Sequence, residues 1–147
     1  MKVIFLDFNG VLDTYDNMDV INPDNLQRLK RIIDETGAKV VISSSLKNTY
    51  FYIGQHNRLF KSIIKELMDA GIDVIGITPH ADTREEEIKL YLQLHPEVTN
   101  FCILDDDYEM EGLKENLVKL PPQMQEGQMG LEDTHMKMAI DILSKSI

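Results

Sequence analysis

Four groups of side chains in this sequence are of types able to do chemistry: Asp7 with Asn9, Ser43 to Ser45, Arg84, and Asp105 to Asp107. Carboxylates take hard divalent cations, while serine hydroxyls and a guanidinium donate hydrogen bonds to phosphate oxygens. Phosphoryl transfer is largely a matter of such positioning and charge neutralisation. Three adjacent acids at 105–107 repel one another unless a cation sits among them, which points to a metal site. Each group also has a plainer reading. Asp7 can cap a turn, the serines can be a loop, and Arg84 can pair with Glu85 to Glu87 as a weak surface ion pair. Lys61 and Lys65 are alternative cations for the place of Arg84.

Three of the four groups directly follow short apolar runs, which must position them. Lys2–Leu6 is a continuous apolar run ended by a polar turn, the pattern of a buried strand in a parallel sheet. Similar runs are Lys39–Ile42, Ile72–Ile77, Phe101–Leu104 and the shorter Leu117–Leu120. Helices are expected between them. One starts at Asn22-Pro23 and stops at Gly37, one covers Leu59–Ala70, one follows Thr83, and the last spans Leu131–Lys145. Strands alternating with helices predict an α/β fold, a three-layer, doubly wound parallel sheet of about five strands. In such sheets ligands bind beyond the carboxyl ends of the strands. Residues 1–147 read as a single domain with no linker or repeat.

Other features carry less. Tyr50 to Ile53 is expected to pack under the next helix, and the eight methionines, several of them between Met124 and Met138, to fill core gaps and not to form a binding groove. His56, His80, His95 and His135 have no metal-ligand spacing, although His80 follows a strand and can reach a substrate. Cys102 alone cannot form an internal disulfide, which suits a reducing, cytoplasmic setting. No stretch is long and apolar enough for a membrane span, and no membrane partner is expected. A formal net charge of −10 argues against nonspecific nucleic-acid binding. It leaves a phosphorylated substrate open, because exposed charges beyond roughly 10 Å are screened.

Leu6-Asp7-Phe8-Asn9-Gly10-Val11-Leu12 resembles the first motif of the haloacid dehalogenase (HAD) superfamily, a strand ending in Asp-x-Asp-Gly-(Thr/Val). Val41-Ile42-Ser43 resembles its second motif, Arg84 stands in place of the third motif's Lys or Arg, and Ile103-Leu104-Asp105-Asp106 resembles the fourth. The sequence is most similar to small, capless members, including the HAD domain of RNA-repair proteins. The resemblance implies a phosphohydrolase in which Asp7 is the nucleophile and forms an aspartyl-phosphate. It implies Mg2+ held by Asp7, the Asn9 carbonyl and Asp106, with Asp105 close by, and phosphoryl oxygens bound by Ser43 and Arg84. The open cleft of a capless member admits a small ester, a nucleic-acid end or a phosphoprotein.

Asn9 departs from the pattern, since the family's phosphatases have an acid there and an amide cannot exchange a proton. Such assistance is typically worth about 10² to 10⁴ in rate. Asn9 is compatible with a substitution made to trap an intermediate, with a slow or inactive phosphate-binding module, or with substrates that have good leaving groups. Another acid such as Asp13 can also replace it.

Overall fold

The computed structural model describes residues 1–44, 55–106 and 110–145. Val3, Ile4, Phe5 and Leu6 have no room for water on either side, so β1 (Lys2–Leu6) forms the middle of a sheet. It pairs in parallel with β2 (Lys39–Ile42) on one edge and β4 (Asn100–Asp105) on the other. β3 (Val74–Ile77) lies outside β2 and β5 (Leu117–Lys119) outside β4, giving the all-parallel order β3-β2-β1-β4-β5. The register sets which side chains can meet. Leu6 is level with Ile42 and with Leu104, so the residue after each of these three reaches the same end of the sheet together.

The two faces of the strands take different helices, as a sheet buried on both sides requires. Ile4, Leu6, Val40, Ile42, Cys102 and Leu104 pack against α1 (Pro23–Thr36), α2 (Gln55–Asp69) and α4 (Asp133–Ser144). Val3, Phe5, Val41 and Ile103 pack against α3 (Arg84–Leu94) and the 3₁₀ turn Glu111–Leu113. Phe5 meets Tyr91 edge to face, with ring centres 5.5 Å apart. The result is the three-layer doubly wound α/β fold expected. Among the described residues no cap domain is inserted: 7–22 joins β1 to α1, and 78–83 joins β3 to α3. No helix of the described residues is long and apolar enough to cross a membrane.

Local chemistry explains the helix ends. The Asn22 side chain accepts from the backbone N–H groups of Asp24 and Asn25 at 3.0 and 3.1 Å, and Pro23 occupies the first turn. Gly37 closes α1 in the left-handed conformation at φ 75°. Thr83 accepts from Glu86 N–H at 3.1 Å and opens α3, whose three first-turn glutamates suit the positive end of the helix dipole.

Some boundaries differ from the sequence reading. Ile72 caps the end of α2, its N–H bonded to Leu67 O, instead of starting β3. Leu131 precedes α4 and bonds through its N–H to Val11 O, so it tethers the loop after β1. Of the methionines, Met110 and Met136 are buried in the core as expected, but most of the others correct that expectation. Met124, Met129 and Met138 are 72%, 53% and 45% exposed, and Met136 alone of that stretch is buried. Met124 and Met129 lie on the irregular surface segment between β5 and α4, and Met138 falls on the side of α4 opposite Met136, Ala139 and Leu143. Tyr50 to Ile53, Ser45 and Asp107 lie outside the described residues.

One pH response follows from α4. His135 Nδ1 accepts from Glu132 N–H at 3.0 Å, which needs a neutral ring, and burial pushes its pKa below the usual value. The unfolded chain therefore takes up this proton first. Stability should be full above about pH 6.5 and fall as the pH drops below it. His135→Gln keeps an acceptor without titrating, so its urea midpoint should fall less than the wild type's between neutral and mildly acidic pH.

Candidate active site

Asp7 leaves β1 with its N–H bonded to Leu104 O at 3.0 Å, while Ser43 N–H bonds to Leu6 O at 2.8 Å. These two bonds extend the sheet by one step and hold Asp7 between the ends of β2 and β4. The Asp7 carboxylate turns back on its own loop and accepts from Phe8 N–H at 2.9 Å. Asp105 ends β4 beside it, and Asp106 follows at once. One oxygen each from Asp7, Asp105 and Asp106 lies within 4.8 Å of the others, and all three residues are buried.

Arg84 enters from the opposite side as the first residue of α3. Its Nη1 donates to Asp105 Oδ2 at 2.6 Å and, through a short hydrogen bond, to Ser43 O. The same nitrogen is 3.9 Å from Asp7 Oδ1, and Nε is 3.6 Å from Glu87 Oε1 one turn along the helix. A buried guanidinium thus ties together the ends of β1, β2 and β4. It does not balance the acids around it. Burial pushes the Asp7 carboxyl well above the ordinary range, the charge of Asp105 adds to this, and Arg84 opposes it. Asp106 raises it further by hydrogen bond and by charge.

Crowded, buried, all-oxygen donors of this kind fit a hard divalent cation, which would relieve the repulsion among the three carboxylates. The backbone is shaped to the same end. Gly10 sits at φ 81°, and a Cβ there would collide with Asp106 Oδ2. The loop after Asp7 therefore approaches the Asp106 carboxylate more closely than any other residue permits. Gly10→Ala should displace Asp106 and cost about 1–2 kcal/mol for the left-handed conformation alone, read as a lower melting temperature by calorimetry.

The acids open onto a cavity of about 290 Å³. Asp7, Asn9, Ser44, Arg84 and Asp106 form one side, and residues 122–124 after β5 form the other. Gln123 N–H donates to Asp106 Oδ2 at 2.6 Å, which fixes that far wall to the acid cluster. Of the expected serines, Ser44 lines the cavity. Ser43 is buried behind it, and its Oγ has no hydrogen-bond partner among the described residues. Asp105 lies beneath Arg84, fully buried. Lys61 and Lys65 lie on the outer face of α2, where Lys65 pairs with Asp69 at 2.7 Å. Neither lines the cavity, and nor does His80, whose Nδ1 is 3.7 Å from Glu87 Oε2.

Two contributors leave no mark in the sequence. Gln123 acts through its backbone, which no residue type announces. Asp19 reaches Asn9 from a polar loop: Asn9 Nδ2 donates to Asp13 Oδ2 and to Asp19 Oδ1, both at 2.8 Å.

Searches among curated proteins and solved structures found no significant match. A family model described as the HAD domain in Swiss Army Knife RNA repair proteins matches residues 3–135, and the chain belongs to that haloacid dehalogenase family.

Proposed function

We propose that the protein is a Mg2+-dependent phosphohydrolase in which Asp7 takes the phosphoryl group from the substrate and passes it to water. The observation that carries this reading is the meeting of Asp7, Asp106 and Arg84 on the wall of one cavity, with Asp105 buried behind. Asp7, Asp106 and the Asn9 carbonyl would hold the ion, with Asp105 close by. When bound, it supplies the charge neutralisation that lets a carboxylate approach an anionic phosphate.

The chain's own groups do the rest. Phe8 N–H orients the Asp7 carboxylate, leaving its second oxygen for attack. Arg84, on the wall beside Asp7, and the hydroxyls of Ser43 and Ser44 are the donors near the place a phosphoryl group would take. An unsatisfied buried hydroxyl such as Ser43 Oγ is costly, and a phosphoryl oxygen or a water can relieve it. Substrate atoms beyond the phosphoryl group would pass out by Pro122 and Met124, which suits a small ester, a phosphoprotein or, as the family's name suggests, a nucleic-acid end.

A second reading, a phosphate-binding module with little turnover, is favoured by Asn9, whose amide has no acid form. One assay separates them. Release of inorganic phosphate from an aryl phosphate should require Mg2+ and should vanish in Asp7→Asn. Release that persists in Asp7→Asn or in chelator refutes the first reading. Tight binding of a phosphorylated ligand, with no release by the wild type or by Asn9→Asp, establishes the second.

A further inference from the structure

Asn9 lines the cavity beside Asp7, and the structure accounts for both of its amide hydrogens. Nδ2 lies 2.8 Å from Asp13 Oδ2 and 2.8 Å from Asp19 Oδ1. Ionised carboxylates only accept, so the amide orientation is fixed and Oδ1 is left as an acceptor. Asn9 thus has neither an acid form nor a spare N–H to offer. Asp13 does not replace it. That carboxylate is 0% exposed, accepts from Gly10 N–H at 2.7 Å and Asp19 N–H at 2.9 Å as well as from Asn9, and is absent from the cavity wall. It clamps the loop. Among the described residues, the remaining acids on the wall are Asp7 itself and Asp106, which is held by Gln123 N–H.

We propose that this site serves phosphoryl donors whose leaving group departs as a stable anion: acyl phosphates, phosphoanhydrides and phenolic esters. It discriminates against alkyl phosphates, whose departing alkoxide needs a proton. The proposal rests on the phosphohydrolase reading and narrows it. In the first step an Asp7 oxygen bonds to phosphorus. The bond from phosphorus to the leaving oxygen breaks, its electron pair stays on that oxygen, and no proton comes from the protein. In the second step water bonds to phosphorus, the Asp7–phosphorus bond breaks, Asp7 regains its carboxylate, and the water's proton goes to solvent. With no base at position 9 the second step is the slower one, so phosphorylated Asp7 accumulates. For a nucleic-acid end, the substrate form is a terminal di- or triphosphate and not a monophosphate.

First-turnover rates with Mg2+ should be measured for acetyl phosphate, pyrophosphate, 4-nitrophenyl phosphate, phenyl phosphate and glycerol phosphate, with intact-chain mass recorded at each time. The expected result is a steep rise with leaving-group acidity, glycerol phosphate at least about 100-fold slower than nitrophenyl phosphate. Up to one phosphoryl group per chain should appear, lost in Asp7→Asn. Asn9→Asp combined with Asp19→Asn, which avoids crowding three carboxylates, should flatten the dependence and remove the accumulated adduct. Asn suits the left-handed backbone at position 19, φ 66°. Equal rates for glycerol and nitrophenyl phosphate, still dependent on Asp7, overturn this proposal and leave the phosphohydrolase reading intact. No adduct and no hydrolysis of any donor overturns both. Should the double variant not fold, the Asn9 amide hydrogens decide by NMR: slow solvent exchange supports the proposal, and exchange as fast as an exposed asparagine's overturns it.

Discussion

Asp7→Asn is expected to remove turnover while raising the melting temperature of the metal-free protein. On the proposed mechanism the change removes the reaction path itself, and a fall of at least about 10³-fold in the rate of phosphate release is the expected scale. The stability gain has a separate cause. The Asp7 carboxyl is buried against Asp105 and Asp106, and both burial and their charges disfavour its ionised form. An amide of the same shape keeps the oxygen that accepts from Phe8 N–H and gains an N–H to offer Asp106. Each 1 kcal/mol recovered should raise the melting temperature by about 3–4 °C in a chain of this size. Mg2+ should reverse the order. It stabilises the wild type by about 2.7 kcal/mol at a hundred times its dissociation constant, and the variant by less. Calorimetry of both proteins with and without Mg2+ checks this. A variant that melts lower than wild type in chelator would show that the acids are not in conflict.

Arg84→Met should be the most destabilising single change at the site. The guanidinium donates to Asp105 at 2.6 Å and to the carbonyl of Ser43, and Asp105 is fully buried. Its removal leaves that carboxylate without its cation, a loss of about 3–5 kcal/mol by comparison with broken buried pairs elsewhere. In a chain of 147 residues this is a fall of roughly 10–15 °C in melting temperature. Adding Asp105→Asn to Arg84→Met should restore part of it, since the residual cost is then packing, the Ser43 carbonyl and the buried Glu87 carboxylate that Arg84 also faces. Arg84→Lys keeps the charge and loses the fork, so it should fall between the two. Failure of the double change to recover any stability would mean that the loss does not come from the stranded Asp105 charge.

The sequence announced what depends on strand ends. Asp7, Ser43 and Asp105 each follow a run of buried aliphatic residues, and in parallel strands a polar switch at the end of each run falls at one edge. The caps at Asn22 and Thr83 were legible for the same reason, because their hydrogen bonds are local. What was hidden depends on backbone conformation in irregular segments. The bond from Asn9 to Asp19 spans ten residues of loop and needs Asp19 in a left-handed conformation, which an aspartate in a polar stretch does not declare. Ser43 was expected to face the phosphoryl group and Ser44 to be structural, yet Ser44 lines the cavity and Ser43 does not, since their exposure is set by how the chain turns after β2. The methionines misled because residue type alone says nothing of which side of a helix or surface segment they occupy.

β1 has its second neighbour very far along the chain: Lys2 pairs with Asn100. A ribosome making this protein releases the middle strand long before the strand that completes its surroundings, and contacts so distant in sequence form slowly. Until then Val3 to Leu6 is a bare adhesive segment of the nascent polypeptide, open to pairing with a stranger. Any shortened form ending before residue 100 would keep Asp7, lose Asp105 and Asp106, and leave one edge of β1 without its partner.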